Sequence, residues 1–435
     1  MSRSFAPIVK WGTDKKYKKV DDFLLRPSVE DKAMEAAARI LADVKERGDK
    51  AVIDCARLYD GSNMSTRRIR VTEKEIAAAD KVVDADFKAA AKEAHKRITE
   101  FSIGGLRDDW QMDTPKGGML GEKFVPYDRV GAYIPGGAAP LASTALMTLT
   151  LAKVAGVKEL VACSPADKDG NLNPYVIYAL NLAGATEIYK IGGVHAIGAM
   201  AYGTRSIAKV RKIVGPGGPY VTAAKRQVYG DVALDMVAGP SEIAVLCDSS
   251  ANPAHVAADL LSQAEHGTGS EKALLVTTSL KQAEAVRAEV LKQAKELSRT
   301  EPVEQVLENG MLLAVVKNMK EGMLLCNLFA PEHMELICKN PEKWVDEVHN
   351  AGALFIGEWT PESVGDFAAG PSHVLPTGGT AAYFSGLTVE DFRRRVSLIQ
   401  FTKEDLEDTL PVVEAFGRIE TLDGHARSAT IRFEK

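Results

Sequence analysis

Val130-Gly-Ala-Tyr-Ile134, followed at once by Pro-Gly-Gly137, is an apolar run that breaks on a proline and two glycines. Four more short apolar runs follow: Glu159-Leu-Val-Ala-Cys163, Glu187-Ile-Tyr-Lys-Ile191, Lys212-Ile-Val214 and Glu242-Ile-Ala-Val-Leu246. Segments of helical pattern, such as 175–183, lie between them. Short buried strands alternating with helices predict a parallel sheet covered on both faces. The same alternation resumes further on. Lys272-Ala-Leu-Leu-Val-Thr277, Met311-Leu-Leu-Ala-Val-Val316 and Leu354-Phe-Ile-Gly357 predict strands, and 280–297 predicts a long charged helix. The fold class is therefore α/β, with two units.

Outward from these units the patterns are helical. Residues 28–59 carry Ala, Ile, Leu and Val on one face and charge on the other, with Ser28 as N-cap. A second helical stretch covers 73–101. The tail predicts a helix at 389–394 and a closing strand at 429–433. No charge occurs between Arg129 and Lys153, but Pro135, Gly136, Gly137 and Pro140 interrupt that stretch. A strand, a glycine loop and a buried helix explain it better than a membrane span.

The 435 residues allow two or three domains, and 46% apolar with 26% charged residues is ordinary for a globular protein. A net charge of −5 gives no general attraction to nucleic acid. The basic run Lys15-Lys16-Tyr17-Lys18-Lys19 reads as a solvated arm. Five cysteines are scattered without C-x-x-C spacing, which excludes a disulfide framework and a thiolate zinc site and suits a reducing cytoplasm. Cys163 reads as a small buried residue rather than a nucleophile. No signal peptide is visible at the N-terminus.

Three glycine turns follow strands: Ile134-Pro-Gly-Gly-Ala138, Ile191-Gly-Gly-Val-His195 and Val214-Gly-Pro-Gly-Gly218. Such turns at strand ends let a backbone approach a phosphate, with a helix N-terminus behind it. None is the dinucleotide fingerprint G-x-G-x-x-G with its acidic residue about 20 positions on. The residues alone leave structural turns and phosphate binding both open.

The polar clusters lie elsewhere. Gln263-Ala-Glu-His266 ends an amphipathic helix stopped by Gly267, so Gln263 and His266 share one side of it. Ala330-Pro-Glu332-His333-Met334 sets a carboxylate beside an imidazole, a pairing suited to general-base and proton-shuttle work. Asp366 and His373 occupy a loop punctuated by glycine and proline, and Glu420-Thr-Leu-Asp-Gly-His425 lies near the end. Of eight histidines, His95, His255 and His349 read as surface residues, while His266, His333, His373 and His425 sit in turns beside carboxylates or glycines. Gln263, His266, Asp366 and His425 would form a nitrogen and oxygen set suited to Zn²⁺, or to Mn²⁺ or Co²⁺.

At this point the chain resembles the histidinol dehydrogenase family from about residue 25 onward. The resemblance rests on VGAYIPGG, AKVAGV, GPGGPYVTAAKRQV, DMVAGPSE, LLSQAEHG, APEHMEL, GDFAAGPSHVLPTGG and DGHARSA, in that order. It implies oxidation of L-histidinol to L-histidine in two NAD-dependent steps through an aldehyde, by a cytoplasmic enzyme with one Zn²⁺ per subunit. It implies a homodimer with shared active sites, and neither nucleic acid nor membrane as a partner. The implied metal ligands are Gln263, His266 and Asp366, with His425 donated by the neighbouring subunit. Glu332 and His333 match the acid/base pair. Ser241, Gln263, His266, His333, Asp366, Glu420 and His425 match substrate contacts.

Two incomplete Rossmann-like units are implied. Residues 1–24 form an N-terminal helical arm, 25–124 with 236–380 a discontinuous first α/β domain and 125–235 a second. A small helical tail, 381–435, reaches the partner subunit's site. On the cofactor side Tyr133 matches an NAD contact, whereas His195 stands where the family usually has Gln and Gly218 where it usually has Asn. Ser372 replaces a usual Asn, and Phe367 a common Tyr. Two other readings remain: a family member that oxidises another small alcohol, such as a sulfonated diol, and a non-catalytic zinc-binding scaffold. Glu420 suits an amine rather than an anion, and a scaffold has no need of Glu332 and His333.

Overall fold

The computed structural model describes residues 5–26, 31–136, 140–236 and 239–434. The expected cap at Ser28, the end of the first glycine turn at Gly137 and Ala138, and Val237-Ala238 lie outside the described residues. The chain divides into two units, Met1–Gly105 with Tyr127–Phe392, and Leu106–Pro126 with Arg393–Lys435.

The first unit holds two all-parallel sheets. One contains β1 (Ile8–Lys10), β9 (Glu242–Cys247), β10 (Lys272–Thr277), β11 (Met311–Val315), β12 (His333–Ile337) and β13 (Ala353–Ile356), in the order β1-β11-β10-β9-β12-β13. The other contains β4 (Arg129–Tyr133), β5 (Glu159–Cys163), β6 (Glu187–Tyr189), β7 (Lys212–Val214) and β8 (Ala233–Leu234), in the order β6-β5-β4-β7-β8. Leaving β1 aside, both sheets follow one rule. The first strand lies in the middle, the next two extend one way and the last two the other. This doubly wound order makes each of the two parallel sheets Rossmann-like, with its switch point between β4 and β7 or between β9 and β12.

The central strands β4, β9 and β12 are buried along their whole length, as strands covered on both faces should be. The charge-free stretch resolves into β4 and the helix Ala142–Val154, buried on nearly every side. Among the described residues no helix is long and apolar enough to cross a membrane. At the entry of the five-stranded sheet, Arg129 reaches Glu159 at 2.6 Å and Glu187 at 2.8 Å, tying three strand starts together.

The expected long N-terminal helix is two helices, Asp31–Arg47 and Asp49–Tyr59, split at Gly48. The second stretch is also two, Glu73–Val82 and Ala85–Gly104, the latter capped by the Asp84 carboxylate on the Phe87 N–H.

In the second unit three antiparallel strands, β2 (Trp110–Asp113), β3 (Met119–Pro126) and β14 (Arg393–Gln400), form a sheet in the order β14-β3-β2. This corrects the tail in two places. The helix expected at 389–394 is a short 3-10 turn, Val389–Phe392, leading into β14; three consecutive arginines imitate a solvated helix but serve as the polar residues of an exposed strand. The strand expected at 429–433 is the end of the helix Asp423–Thr430 and a 3-10 turn. That helix pairs with Lys403–Ile419 and buries Ala429, so helix packing overrides the β-branched composition.

Candidate active site

Strands β9 and β12 pair in parallel with His333 opposite Ile243, and this register brings the first chemical group together. The Glu332 carboxylate accepts the Glu242 N–H at 3.0 Å, and His333 Nδ1 lies 3.0 Å from the Glu242 carbonyl. Because a carbonyl only accepts, Nδ1 carries a hydrogen, and Nε2 is the ring atom left to gain or lose a proton. Nε2 faces Asp366 at 3.7 Å and Glu362 at 3.8 Å. His333 is therefore the first residue of a buried strand and not part of a turn, which corrects that expectation. The strand starts there because the helix Met319–Phe329 ends on Ala330 in the left-handed conformation (φ 46°), and Pro331 then fixes the entry.

Burial pushes the Glu332 carboxyl well above its ordinary range. For His333 burial pulls the other way, but Glu332, Asp366 and Glu362 outweigh it and hold the imidazole toward its charged form. Asp366 is held low despite its burial, through His333, His373 and His266. The Nδ1 atom of His373 stands 3.9 Å from Asp366, and its Nε2 lies 3.3 Å from the Thr144 hydroxyl. Thr144 belongs to the helix that follows β4, so one histidine joins the acidic cluster to the five-stranded sheet.

The helix Pro253–Ala264 carries Gln263, wholly buried, whose amide oxygen and nitrogen both lack a hydrogen-bond partner. A buried amide with neither end satisfied costs on the order of 1–3 kcal/mol, so the side chain is set for a partner that the described protein groups do not supply. Arg299 caps the same helix, donating at 3.0 Å to the carbonyls of Glu265 and His266. His266 lies exposed just beyond the helix end, with Nδ1 3.2 Å from the Ser262 carbonyl. The Ser262 hydroxyl donates to Glu362 at 2.8 Å, and the Glu362 N–H donates to Glu335 at 2.9 Å. Burial raises the carboxyls of both Glu335 and its neighbour Asp259. Three elements, the Gln263 helix, β12 and the short helix Glu362–Phe367, thus meet through buried polar groups.

Among the described residues, ligand atoms of His333, Glu362 and Asp366 all lie within 4.8 Å of one another and could hold a metal ion. Asp366 belongs to the set expected from sequence; Glu362 was missed, although Glu362 and Asp366 stand four apart on one helix face. Glu242 and Glu335 had no signal beyond being charged residues in apolar runs. Ser241 immediately precedes β9. Glu420 and His425 belong to the second unit, both exposed: Glu420 ends the helix Lys403–Ile419, and His425 lies in the helix Asp423–Thr430 and not in a turn.

The other chemical edge is the carboxyl end of the five-stranded sheet. Tyr133 ends β4, and its hydroxyl accepts the Gly193 N–H at 3.2 Å. The loop after β7 begins at Gly215 with φ 106°, where any Cβ would stand 2.2 Å from the Tyr133 carbonyl, so only glycine fits. Asp235 accepts the Gly215 N–H at 2.7 Å while Lys225 donates to its carbonyl at 2.8 Å, and the two pair at 2.5 Å. The glycine loop is therefore clamped. Gly192 and Gly218 begin the helices Gly193–Tyr202 and Pro219–Val228, and neither helix has a side-chain cap. At the corresponding edge of the six-stranded sheet, Asn252, Ser279 and Asn318 cap the helix starts with their own side chains. His195 is turned inward, 1% exposed, with Nε2 3.2 Å from Asp60.

A family model described as histidinol dehydrogenase matches residues 25–433. The chain is 42% identical over 416 residues to the histidinol dehydrogenase of Heliobacterium mobile, covering 95% of this chain and 97% of that one. It is 45% identical over 394 residues to that of Caldanaerobacter subterraneus subsp. tengcongensis, covering 91% of each. The crystal structure of histidinol dehydrogenase from Elizabethkingia anophelis superposes with a TM-score of 0.93 at 35% identity, covering 100% of this chain and 99% of that one.

Proposed function

The chain belongs to the histidinol dehydrogenase family, oxidoreductases of the alcohol/aldehyde dehydrogenase type, and on that premise we propose that it oxidises L-histidinol to L-histidine with Zn²⁺ and NAD. The observation that carries this reading is Gln263: a buried amide lacking any protein partner, on a helix whose Ser262 bonds Glu362, one of the carboxylates around His333.

The donor set fits a divalent cation. Gln263 offers an amide oxygen, His266 an imidazole and Asp366 a carboxylate, and these N/O donors suit Zn²⁺. Exposed apolar residues Val412, Phe416 and Ile419, at spacings of four and three along one helix of the second unit, fit burial in a homodimer. In that assembly His425 and Glu420 serve the site of a second copy, His425 as the remaining ligand and Glu420 as counter-charge for the substrate amine. Held by Gln263, His266 and Asp366, a Zn²⁺ ion would supply a Lewis-acid anchor for the imidazole and amine of histidinol.

The dinucleotide fits the carboxyl edge of the five-stranded sheet. There Tyr133, the clamped loop from Gly215 and the first turns of the helices that follow Gly192 and Gly218, which neither glycine caps with a side chain, offer backbone to a diphosphate. His195, paired with Asp60, supports that edge from behind. NAD supplies the hydride acceptor in each of two oxidations.

The chain's own residues move the protons. His333 Nε2 takes the alcohol proton as the carbon loses hydride, with Nδ1 held by the Glu242 carbonyl. Glu332, its carboxyl raised by burial, then takes a proton from water as the oxygen attacks the aldehyde carbon, and the hydrate loses the second hydride. A base of raised affinity is matched to deprotonating water near neutral pH. Ser241 and Asp366 line the same strand entry and orient substrate. These steps belong to histidine biosynthesis, and the free, scattered cysteines fit a reducing cytoplasm.

The deciding experiment is stoichiometric. Zinc-loaded protein should reduce two NAD per L-histidinol and yield histidine. Turnover of another small alcohol but not histidinol assigns a different substrate to the family fold. Bound zinc without NAD reduction by any alcohol leaves a binding scaffold.

A further inference from the structure

Arg26 lies outside every cluster described above, yet its largely buried guanidinium packs against the start of β9 and the chain leading into β12. Its Nε contacts Glu242 Oε1 at 2.5 Å, its Nη2 donates to the Phe329 carbonyl at 2.8 Å, and its Nη1 donates to the Leu24 carbonyl at 2.6 Å. The guanidinium plane covers the Phe329 ring at 4.1 Å. Glu242 begins β9, and its main chain holds Glu332 by the N–H and His333 by the carbonyl. Phe329 is the last helical residue before the strained Ala330 turn that delivers Glu332. One cation thus grips both sides of the acid/base pair. The arm that brings it is anchored by Lys272, which donates to the carbonyls of Phe23 and Leu25, and by Phe23 stacked on Phe329 at 5.5 Å.

We propose that Arg26, delivered by the N-terminal arm, is a positioning residue for the Glu332–His333 pair, fixing the Glu242 backbone and the Phe329–Ala330 turn at once. The inference rests on the roles given to Glu332 and His333 above. Three divergent N–H directions are used together, a geometry that only the planar fork of arginine supplies. Glu242 is nearly buried, with Oε2 lacking any hydrogen-bond partner. Removing the guanidinium therefore strands a carboxylate one residue from the β9 register that seats His333, and the main chain must shift to reach solvent.

The test uses the full-length, zinc-loaded enzyme with R26Q, E242Q and the R26Q/E242Q double variant. Rates and KM values with histidinol and NAD are measured beside melting temperatures. R26Q should lose at least tenfold in kcat while both KM values stay within about twofold, because substrate and cofactor contacts are untouched. Neutralising Glu242 as well should recover at least threefold of that loss, since no unpaired charge then remains. Recovery of kcat cannot come from a purely additive loss of stability. If R26Q is not obtained folded, R26K, which keeps charge but loses the fork, should show at least a threefold loss in kcat. Wild-type kcat in R26Q or R26K overturns the proposal, as does a double variant slower than R26Q. Wild-type protein inactive on histidinol instead removes the underlying functional reading.

Discussion

Replacing Gly218 with asparagine isolates what the cofactor edge lacks. The residue has φ −66° and ψ 177°, open to any side chain, and a Cβ built there meets no heavy atom within 4 Å. The substitution therefore carries neither backbone strain nor a clash. It adds a carboxamide at the start of Pro219–Val228, whose first N–H groups have no side-chain cap. One new hydrogen bond to the dinucleotide is worth about 0.5–1.5 kcal/mol, or about two- to thirteenfold in Kd. Glycine and asparagine differ by only a few tenths of a kcal/mol as N-caps, a change of about 1 °C or less in Tm. Fluorescence titration with NADH, with NAD KM as a second readout, should show tighter binding at nearly unchanged Tm. An unchanged Kd with a raised Tm would mean that the amide closes on its own helix. That result, or weaker binding, refutes the placement of the dinucleotide at this helix start.

Gln263→Leu should cut the zinc found in purified protein at least tenfold by elemental analysis. In metal-free form it should melt above metal-free wild type, because an unsatisfied buried amide worth on the order of 1 kcal/mol has gone; a lower Tm contradicts that account. Glu332→Gln should slow aldehyde oxidation by about a hundredfold or more and the first oxidation far less. Equal slowing, measured with histidinol and histidinaldehyde in single turnovers, removes its assigned role. Glu187 is held near a pKa of about 2 by Arg129, from an ordinary 4.5. A lowered carboxyl stabilises fully above its unfolded pKa and loses that contribution as pH falls through the folded one. Glu187→Gln should therefore cost about 3 kcal/mol at pH 7 and almost nothing at pH 2, and a deficit in denaturant melts that does not shrink between pH 5 and pH 2 argues against the pair.

The alternation of apolar runs and helices was enough to find β4, β5, β6, β7, β9, β10, β11 and β13, because most of these strands are covered on both faces and leave little but apolar residues to read. It failed at β12 for the reason that makes β12 interesting. Glu332, His333 and Glu335 put charge where periodicity demands a core, and function violates local rules in that way. Strands β2, β3 and β14 of the antiparallel sheet are exposed or half exposed, so their composition resembles that of loops. Within the site, Glu332-His333 stood out as a dipeptide, and Glu362 was within reach of helix spacing from Asp366. Arg26 and Glu242 were not, since 216 residues separate them and only the pairing of β9 with β12 gives their contact a meaning.

The pairing of β1 with β11 sets Ile8 against Leu313, so the first of the described strands must wait for one made much later. At about 5–20 residues per second during synthesis, that interval is about 15 to 60 s. Over that time Ile8-Val9-Lys10 has no sheet to join, while β4 to β8, contiguous in sequence, can pair among themselves at low loop-closure cost. The lysines of 15–19 follow the waiting strand directly, and charge beside an unpaired edge discourages pairing with a foreign chain. Docking of β1 also delivers Arg26. A nascent or truncated chain would then hold both parallel sheets in outline and still lack the grip on its acid/base pair, so that catalytic competence arrives last, with the arm.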